Sequence, residues 1–242
     1  MKADVAQQRL LGELTVLDAE IGRLTHRARN LAEQQRLDEV VTEHRAAADR
    51  AAALTIALGD LDGEIARFDA EIHSVRQRED RDRNLLASGT VNAKQLTELQ
   101  HELETLQRRQ ASLEDDQLEV MERREELQNQ RDDAQRAADE LHAAVVTAQV
   151  ARDQALVEID DAREVAQRRR AELVTNVSAD LVTLYDRQRA GGGPGAGVLQ
   201  GRRCGACRIE IDRADMARIT AAAEDDVLRC PECGAVLLRE AR

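Results

Sequence analysis

The sequence predicts a long antiparallel α-helical hairpin followed by a small module that contains every cysteine of the chain. Apolar residues repeat with heptad-like spacing over most of the first 190 residues, and a short turn interrupts the repeat once. The four cysteines then occur as two close pairs after residue 200. The composition agrees with this fold class, because aromatic residues make up 1% of the chain and charged residues 34%. Such a composition is typical of long helices that bury a narrow apolar seam.

Two apolar seams support the hairpin. In the first arm, the seam residues form two blocks, 10–31 and 37–75, joined by a shortened step through Gln34 that overwinds a supercoil locally. In the second arm, the seam covers residues 96–166 and continues with a small phase shift to Leu184. A heptad-like pattern sustained over this length predicts a coiled coil.

The turn between the seams contains residues that end and start helices. Gly89 suits the left-handed position after a helix, and Asn92 is a good N-cap with Gln95 three residues later as its partner. We therefore predict a hairpin over residues 1–190 with its tip near 87–93, and the short loop makes the arms antiparallel.

The rest of the chain differs in composition. Residues 191–197 contain a glycine run and Pro194, and we predict a Gly-rich linker there. Residues 198–242 then form a separate small domain, which we expect to be β-rich.

The cysteines of this domain follow the pattern C-x2-C-x22-C-x2-C. They are Cys204, Cys207, Cys230 and Cys233. Two short pairs at this separation indicate a four-thiolate zinc site. Two disulfides are the alternative, but the N-terminus lacks a signal peptide, and a redox C-x-x-C would not need a second pair. We predict one structural Zn²⁺, because four thiolates leave no coordination position open for water.

The charge distribution suggests where a partner would bind. The formal net charge is −12, but from residue 191 onward eight arginines balance eight acidic residues. Arginines also cluster where the hairpin base meets the first cysteine pair, and we name this group the Arg collar: Arg187, Arg189, Arg202, Arg203 and Arg208. The collar would bind phosphates or an acidic protein. Alternatively, these arginines only offset the charge of the thiolates and the acidic hairpin.

No enzyme active site is evident in the sequence. The five histidines lie on the predicted helices without the i, i+4 spacing of a metal site, and the glycine run lacks the Lys-Ser/Thr of a P-loop. No stretch approaches the roughly 18 consecutive apolar residues that a membrane-spanning helix needs. We expect a cytoplasmic, non-enzymatic protein without a membrane span or a small-molecule substrate.

Several segments resemble the bacterial coiled-coil hairpin proteins with a C-terminal C4-type zinc ribbon. These are the tip residues 88–96, residues 99–103, residues 184–187 and the cysteine module, so the resemblance covers nearly the whole chain. The Ala- and Arg-rich composition suggests an actinobacterial member. The resemblance implies that the four cysteines bind zinc and that the protein binds nucleic acid or acts as a protein-binding adaptor. Ala93 replaces a proline frequent in that family, and Leu238 replaces an aromatic residue.

These observations favour an adaptor that binds a protein partner or nucleic acid (RNA or DNA) through the ribbon and the hairpin base. A second hypothesis is a coiled-coil transcription factor associated with RNA polymerase. Its tip would hold a metal with acidic residues, whereas the nearest carboxylates here are Asp82 and Glu98. A third is a structural spacer or self-associating rod, since alanine-rich faces such as 46–48 and 51–53 allow close helix approach.

Overall fold

The computed structural model describes residues 1–239 and consists mostly of long helices. The two arms of the hairpin contain two helices each: α1 (Val5–Arg29), α2 (Ala32–Ala87), α3 (Ala93–Thr175) and α4 (Ala179–Ala190). The C-terminal module contains four strands and a short helix: β1 (Ala196–Gln200), β2 (Arg203–Cys204), α5 (Arg213–Ala221), β3 (Leu228–Arg229) and β4 (Val236–Leu238). The predicted fold class, a coiled-coil hairpin with a small strand-containing ribbon, is confirmed.

The tip has the capping interactions that the sequence predicts. Helix α2 ends at Ala87, and Gly89 has a φ of +66°. The Asn92 N–H donates to Gln95 Oε1, and the Gln95 N–H donates to Asn92 Oδ1, both at 3.0 Å. This reciprocal capping box satisfies two N–H groups at the start of α3 that would otherwise lack partners.

Each arm is interrupted once, where the sequence predicts only changes of phase. In the first arm, the break lies at Asn30 and Leu31, ahead of the predicted slip at Gln34. The Asn30 side-chain amide donates to the His26 carbonyl at 3.0 Å and caps the last turn of α1. A side chain that bonds nearby backbone competes with helix continuation, which explains the break.

The second arm is interrupted at residues 176–178. Thr175 Oγ1 and Asn176 Nδ2 donate to the Glu172 carbonyl at 2.7 Å and 3.1 Å, so side chains replace the backbone donors at the end of α3. The break leaves Val177 and Leu181 buried against the N-terminal helix.

The chain divides into two compact units, one formed by Gln35–Gln149 and the other by Met1–Gln34 with the chain from Val150 onward. In the Gln35–Gln149 unit, α2 and α3 pack antiparallel. Polar contacts join them in reversed order along the chain: Asp62–Arg124 at 2.5 Å, Asp69–Gln117 at 2.6 Å and Arg76–Glu114 at 2.7 Å. Between the arms lie apolar layers, for example the cluster of Leu37, Val40 and Val145.

In the other unit, the sheet has the strand order β2-β1-β4-β3. Strand β1 pairs parallel with β4, and Ala196 lies opposite Val236. The last two residues of the predicted 191–197 linker thus belong to a strand. Helices α1 and α4 pack on this sheet around a core of buried residues: Leu11, Leu14, Val177, Leu181, Tyr185, Ala196, Val236 and Leu238.

None of the described helices combines the length and the apolar character that crossing a membrane requires.

One carboxylate occupies the seam of the Gln35–Gln149 unit. Glu79 follows Ile72 by seven residues and is only 3% exposed. Its Oε2 accepts from Arg83 at 2.7 Å, while its Oε1 has no hydrogen-bond partner among the described residues. A buried carboxylate oxygen without a partner destabilises the folded state.

We therefore expect Glu79→Leu to stabilise this unit. Filling the seam position with an apolar side chain should raise the free energy of unfolding by about 1–2 kcal/mol. Urea unfolding followed by circular dichroism at 222 nm measures the change. The control is Glu71→Leu, because Glu71 is exposed and its substitution should leave the midpoint nearly unchanged. A lower midpoint for Glu79→Leu would contradict the prediction.

Candidate metal centre and hairpin base

The four cysteines converge on one point. Their sulfur atoms all lie within 4.8 Å of one another, and the Cys204–Cys233 and Cys207–Cys230 sulfurs are 3.9 Å apart. A tetrahedral Zn²⁺ with Zn–S bonds of ~2.3 Å places its sulfurs about 3.8 Å apart. The arrangement therefore fits one structural zinc ion with four thiolate ligands, as the spacing predicts.

Two knuckles with the same backbone hydrogen bonds supply these ligands. In the first, the Arg208 N–H donates to the Cys204 carbonyl at 2.7 Å, and the Cys204 N–H donates to the Ile209 carbonyl at 3.1 Å. In the second, the Gly234 N–H donates to the Cys230 carbonyl at 2.9 Å, and the Cys230 N–H donates to the Ala235 carbonyl at 2.8 Å. Each knuckle thus fixes two sulfurs through its own backbone.

The environment of the sulfurs favours a bound cation. Burial raises the pKa of the Cys204 thiol, and burial raises that of Cys233 to about 12. A backbone N–H from Ile209 lowers the pKa of Cys207. Sulfurs held this closely in a partly buried site become stable thiolates when a dication neutralises them. The chemistry of the donor set therefore agrees with its geometry.

The second knuckle is joined to the hairpin base. Gln188 on α4 donates its side-chain amide to the Cys233 carbonyl at 2.5 Å, and Arg229 Nε donates to the Gly234 carbonyl at 2.9 Å. Gly234 has a φ of +79°, and a Cβ there would lie 2.7 Å from Gln188 Oε1. Glycine adopts this φ without strain and leaves room for the Gln188 side chain.

A buried polar cluster, the Asp18 junction, holds the base together. Asp18 Oδ1 accepts from Arg170 Nε at 2.7 Å and from Arg189 Nη1 at 3.2 Å. Its Oδ2 accepts from the Tyr185 hydroxyl at 2.8 Å, and burial raises the pKa of that hydroxyl. Arg170 also donates to Asp186 at 2.8 Å. This one carboxylate thereby connects α1, α3 and α4.

The N-terminus also pairs with the ribbon. The Val227 N–H donates to the Met1 carbonyl at 3.0 Å, and the Ala3 N–H donates to the Asp225 carbonyl at 2.9 Å. Lys2 Nζ lies 2.8 Å from Asp225 Oδ1. The Arg239 guanidinium donates to carbonyls in the loop after α5, among them that of Ala222 at 2.9 Å. The ribbon therefore contacts the start of the chain through both backbone and side chains.

The Arg collar divides into two groups in the structure. Arg202, Arg203 and Arg208 come together because residues 202–204 pair with 209–211, whereas Arg187 and Arg189 lie on α4. The guanidinium groups of two members bind other groups of the same chain. Arg189 binds Asp18, and Arg202 donates to the Ile211 carbonyl at 3.3 Å and lies 3.4 Å from Glu210.

The other three collar members, Arg187, Arg203 and Arg208, are exposed, and their guanidinium groups have no hydrogen-bond or ion-pair partner among residues 1–239.

The sequence did not indicate the Asp18 junction or the role of Arg239. Asp18 directly follows the seam residue Leu17, so helical periodicity places it at the edge of the buried face. Nothing local identifies its partners, because Arg170 and Tyr185 lie more than 150 residues further along the chain.

A helical hairpin that ends in a four-cysteine ribbon defines a class of zinc-ribbon hairpin proteins, and comparisons with known proteins agree. Residues 14–193 match the CT398-like coiled coil hairpin domain, and residues 203–237 match the C4-type zinc ribbon domain. The chain belongs to the CT398-like coiled-coil hairpin family.

Its relatives include an uncharacterised protein of Mycobacterium tuberculosis, which is 60% identical over 239 residues and covers 99% of this chain and 98% of its own length. A solved structure from Mycobacterium smegmatis is 61% identical, with a TM-score of 0.90 over 99% of this chain and 100% of that one. CT398 from Chlamydia trachomatis shares the fold at 13% identity, with a TM-score of 0.69 over 97% of this chain and 98% of its own. The suggested actinobacterial relationship is confirmed by the mycobacterial relatives.

Removal of zinc should unfold the ribbon and leave most of the hairpin helical, because metal binding is coupled to folding of the ribbon, whereas the Gln35–Gln149 unit has its own apolar packing. After chelation, we expect the circular dichroism at 222 nm to stay nearly constant while limited proteolysis cleaves between residues 200 and 235. Readdition of zinc should restore protection. A large loss of helical signal on chelation would contradict this expectation.

Asp18→Ala should destabilise the hairpin base, because it leaves Arg170, Arg189 and the buried Tyr185 hydroxyl without their shared acceptor. We expect a loss of about 3 kcal/mol, at the lower end for buried ion pairs because Arg189 is partly exposed. Asp186→Ala removes a half-exposed partner of the same Arg170 and should cost less than about 1 kcal/mol. Urea denaturation compares the two variants, and equal losses would show that the junction is not centred on Asp18.

Proposed function

We propose that the protein is a non-enzymatic adaptor that binds an acidic partner through its zinc ribbon and hairpin base. The observation that carries this proposal is the set of exposed arginines without acidic partners among residues 1–239, namely Arg187, Arg203 and Arg208. Guanidinium groups that serve no internal contact are available to carboxylates or phosphates of another molecule.

The metal centre supports a binding role. A zinc ion with four protein ligands has no open position for water or substrate, so it acts by folding the ribbon. Within the described part of the chain, the cysteine set is the only group of three or more metal-ligating side chains brought together. The zinc would therefore hold the first knuckle and its arginines in position.

Protein is the favoured class of partner. Single-stranded nucleic acid is bound largely by stacking bases on aromatic side chains. Tyr185, the aromatic residue next to the collar, is 1% exposed and has its hydroxyl on Asp18. The sequence contains one further aromatic residue, Phe68 on α2, and the net charge of −12 opposes general binding to phosphate backbones.

Nucleic acid is the second candidate, because guanidinium groups also bind phosphates in a bidentate manner. Such binding would depend on the arginines alone and would weaken steeply with salt.

Charge reversal tests the adaptor function. The triple variant Arg187→Glu, Arg203→Glu, Arg208→Glu should weaken partner binding roughly tenfold or more, because like charges would face the acidic surface. Affinity purification from the native cytosol, with and without nuclease, measures capture and separates protein from nucleic-acid partners. Zinc content and helical circular dichroism should equal those of the wild type.

The matched control is Arg23→Glu, Arg27→Glu, Arg45→Glu, which changes the net charge equally at exposed positions of α1 and α2. It should retain capture. Equal capture by both triple variants would contradict a binding role for the collar, and loss of captured material on nuclease treatment would favour nucleic acid.

A further inference from the structure

The two zinc knuckles have the same hydrogen bonds but different residues at their turning point. In the second knuckle, the residue after the last cysteine is Gly234, with a φ of +79°. In the first, the equivalent residue is Arg208, with a φ of +63°. Both adopt the left-handed region because the N–H of each returns to the carbonyl of the first cysteine of its pair.

Arginine is an unfavourable choice for this conformation. In the left-handed region the Cβ atom of an L-residue crowds its own backbone, and glycine avoids this strain. Arg208 is the only residue other than glycine with a positive φ among residues 1–239. Strained residues of this kind concentrate at functional sites.

No side-chain contact with residues 1–239 explains an arginine at this position. The side chain of Arg208 is exposed and has neither an ion pair nor a hydrogen bond to the rest of the described chain. Folding of the knuckle alone would therefore favour glycine at this position.

The next residue presents an apolar side chain beside this arginine. Ile209 is 50% exposed, although the small ribbon has few apolar side chains with which to form a core. The first knuckle fixes its backbone, because the Ile209 carbonyl accepts from the Cys204 N–H at 3.1 Å and the neighbouring Arg208 N–H donates to the Cys204 carbonyl at 2.7 Å. The Ile209 side chain is thus held outward by the first knuckle.

We propose that Arg208 and Ile209 form an anchor for an acidic protein segment in which an apolar side chain lies next to a carboxylate. This inference rests on the proposed adaptor function and identifies its contact point. The guanidinium of Arg208 would bind the carboxylate, and Ile209 would pack against the apolar side chain. An aliphatic side chain adds nothing to phosphate recognition, so the pair favours protein over nucleic acid.

The first experiment measures how tightly the zinc-loaded protein retains its zinc against a chelator. Arg208→Gly relieves the backbone strain, so the chelator concentration that removes half of the zinc should rise roughly threefold. Arg203→Gly is the matched control, because Arg203 is also exposed but lies in β2 without a positive φ. This control should lose zinc more readily than the wild type. Easier zinc loss from Arg208→Gly would overturn the strain argument.

The second experiment measures the affinity of the protein for three labelled probes of defined chemistry. The probes are a short glutamate peptide that contains leucines, an all-glutamate peptide of the same length and a single-stranded RNA of matching charge. The wild type should bind the leucine-containing peptide most tightly. Arg208→Gly should weaken that binding roughly tenfold, and Ile209→Ser should reduce it to the level of the all-glutamate peptide. Arg208→Lys, which keeps the charge, should fall between wild type and Arg208→Gly.

Three results would overturn the anchor: no preference of the wild type for the leucine-containing peptide, equal binding by Arg208→Gly, or tightest binding of the RNA. The adaptor function fails separately. If Arg208→Gly retains the partner captured from cytosol while the triple charge reversal loses it, the adaptor function stands and the anchor does not.

Discussion

Four thiolates held within 4.8 Å of one another repel each other. A dication bound at their centre attracts all four, and this attraction is the main interaction that stabilises the folded ribbon. The module has no aromatic residue, and its buried apolar cluster contains the ligands Cys204 and Cys230 themselves. A domain of this size rarely folds on its apolar core alone. The pairing of β1 with β4, the outward direction of Ile209 and the left-handed turn at Arg208 all depend on knuckles that the metal keeps closed.

The ribbon and the hairpin base share one structural core. Leu11 and Leu14 of α1 pack with Val236 and Leu238 of β4, and Gln188 bonds to the second knuckle directly. The Asp18 junction adds a polar connection among the helices at the same end. Two knuckles that are alike in backbone therefore differ in role: the second faces α4, whereas the first presents its side chains to solvent.

Local patterns in the sequence predicted the features that depend on nearby residues. The tip follows from Gly89, Asn92 and Gln95, whose interactions span a few positions, and the zinc ligands follow from cysteine spacing. The Asp18 junction joins residues more than 150 positions apart, and no periodicity indicates such a meeting. Grouping the collar arginines by sequence likewise could not distinguish Arg189, which binds Asp18, from Arg208, whose guanidinium has no partner among residues 1–239.

The pairing of the first residues with the ribbon has a consequence for biosynthesis. Lys2 and Asp225 are separated by 223 positions, and the apolar face of α1 packs on Val177, Leu181 and β4. A ribosome adds ~5–20 residues per second, so α1 is made roughly 10 to 40 s before its packing partners in β4. During that interval the nascent chain exposes leucines that the finished protein buries, and a chaperone that binds apolar segments would bind α1 before its packing partners form.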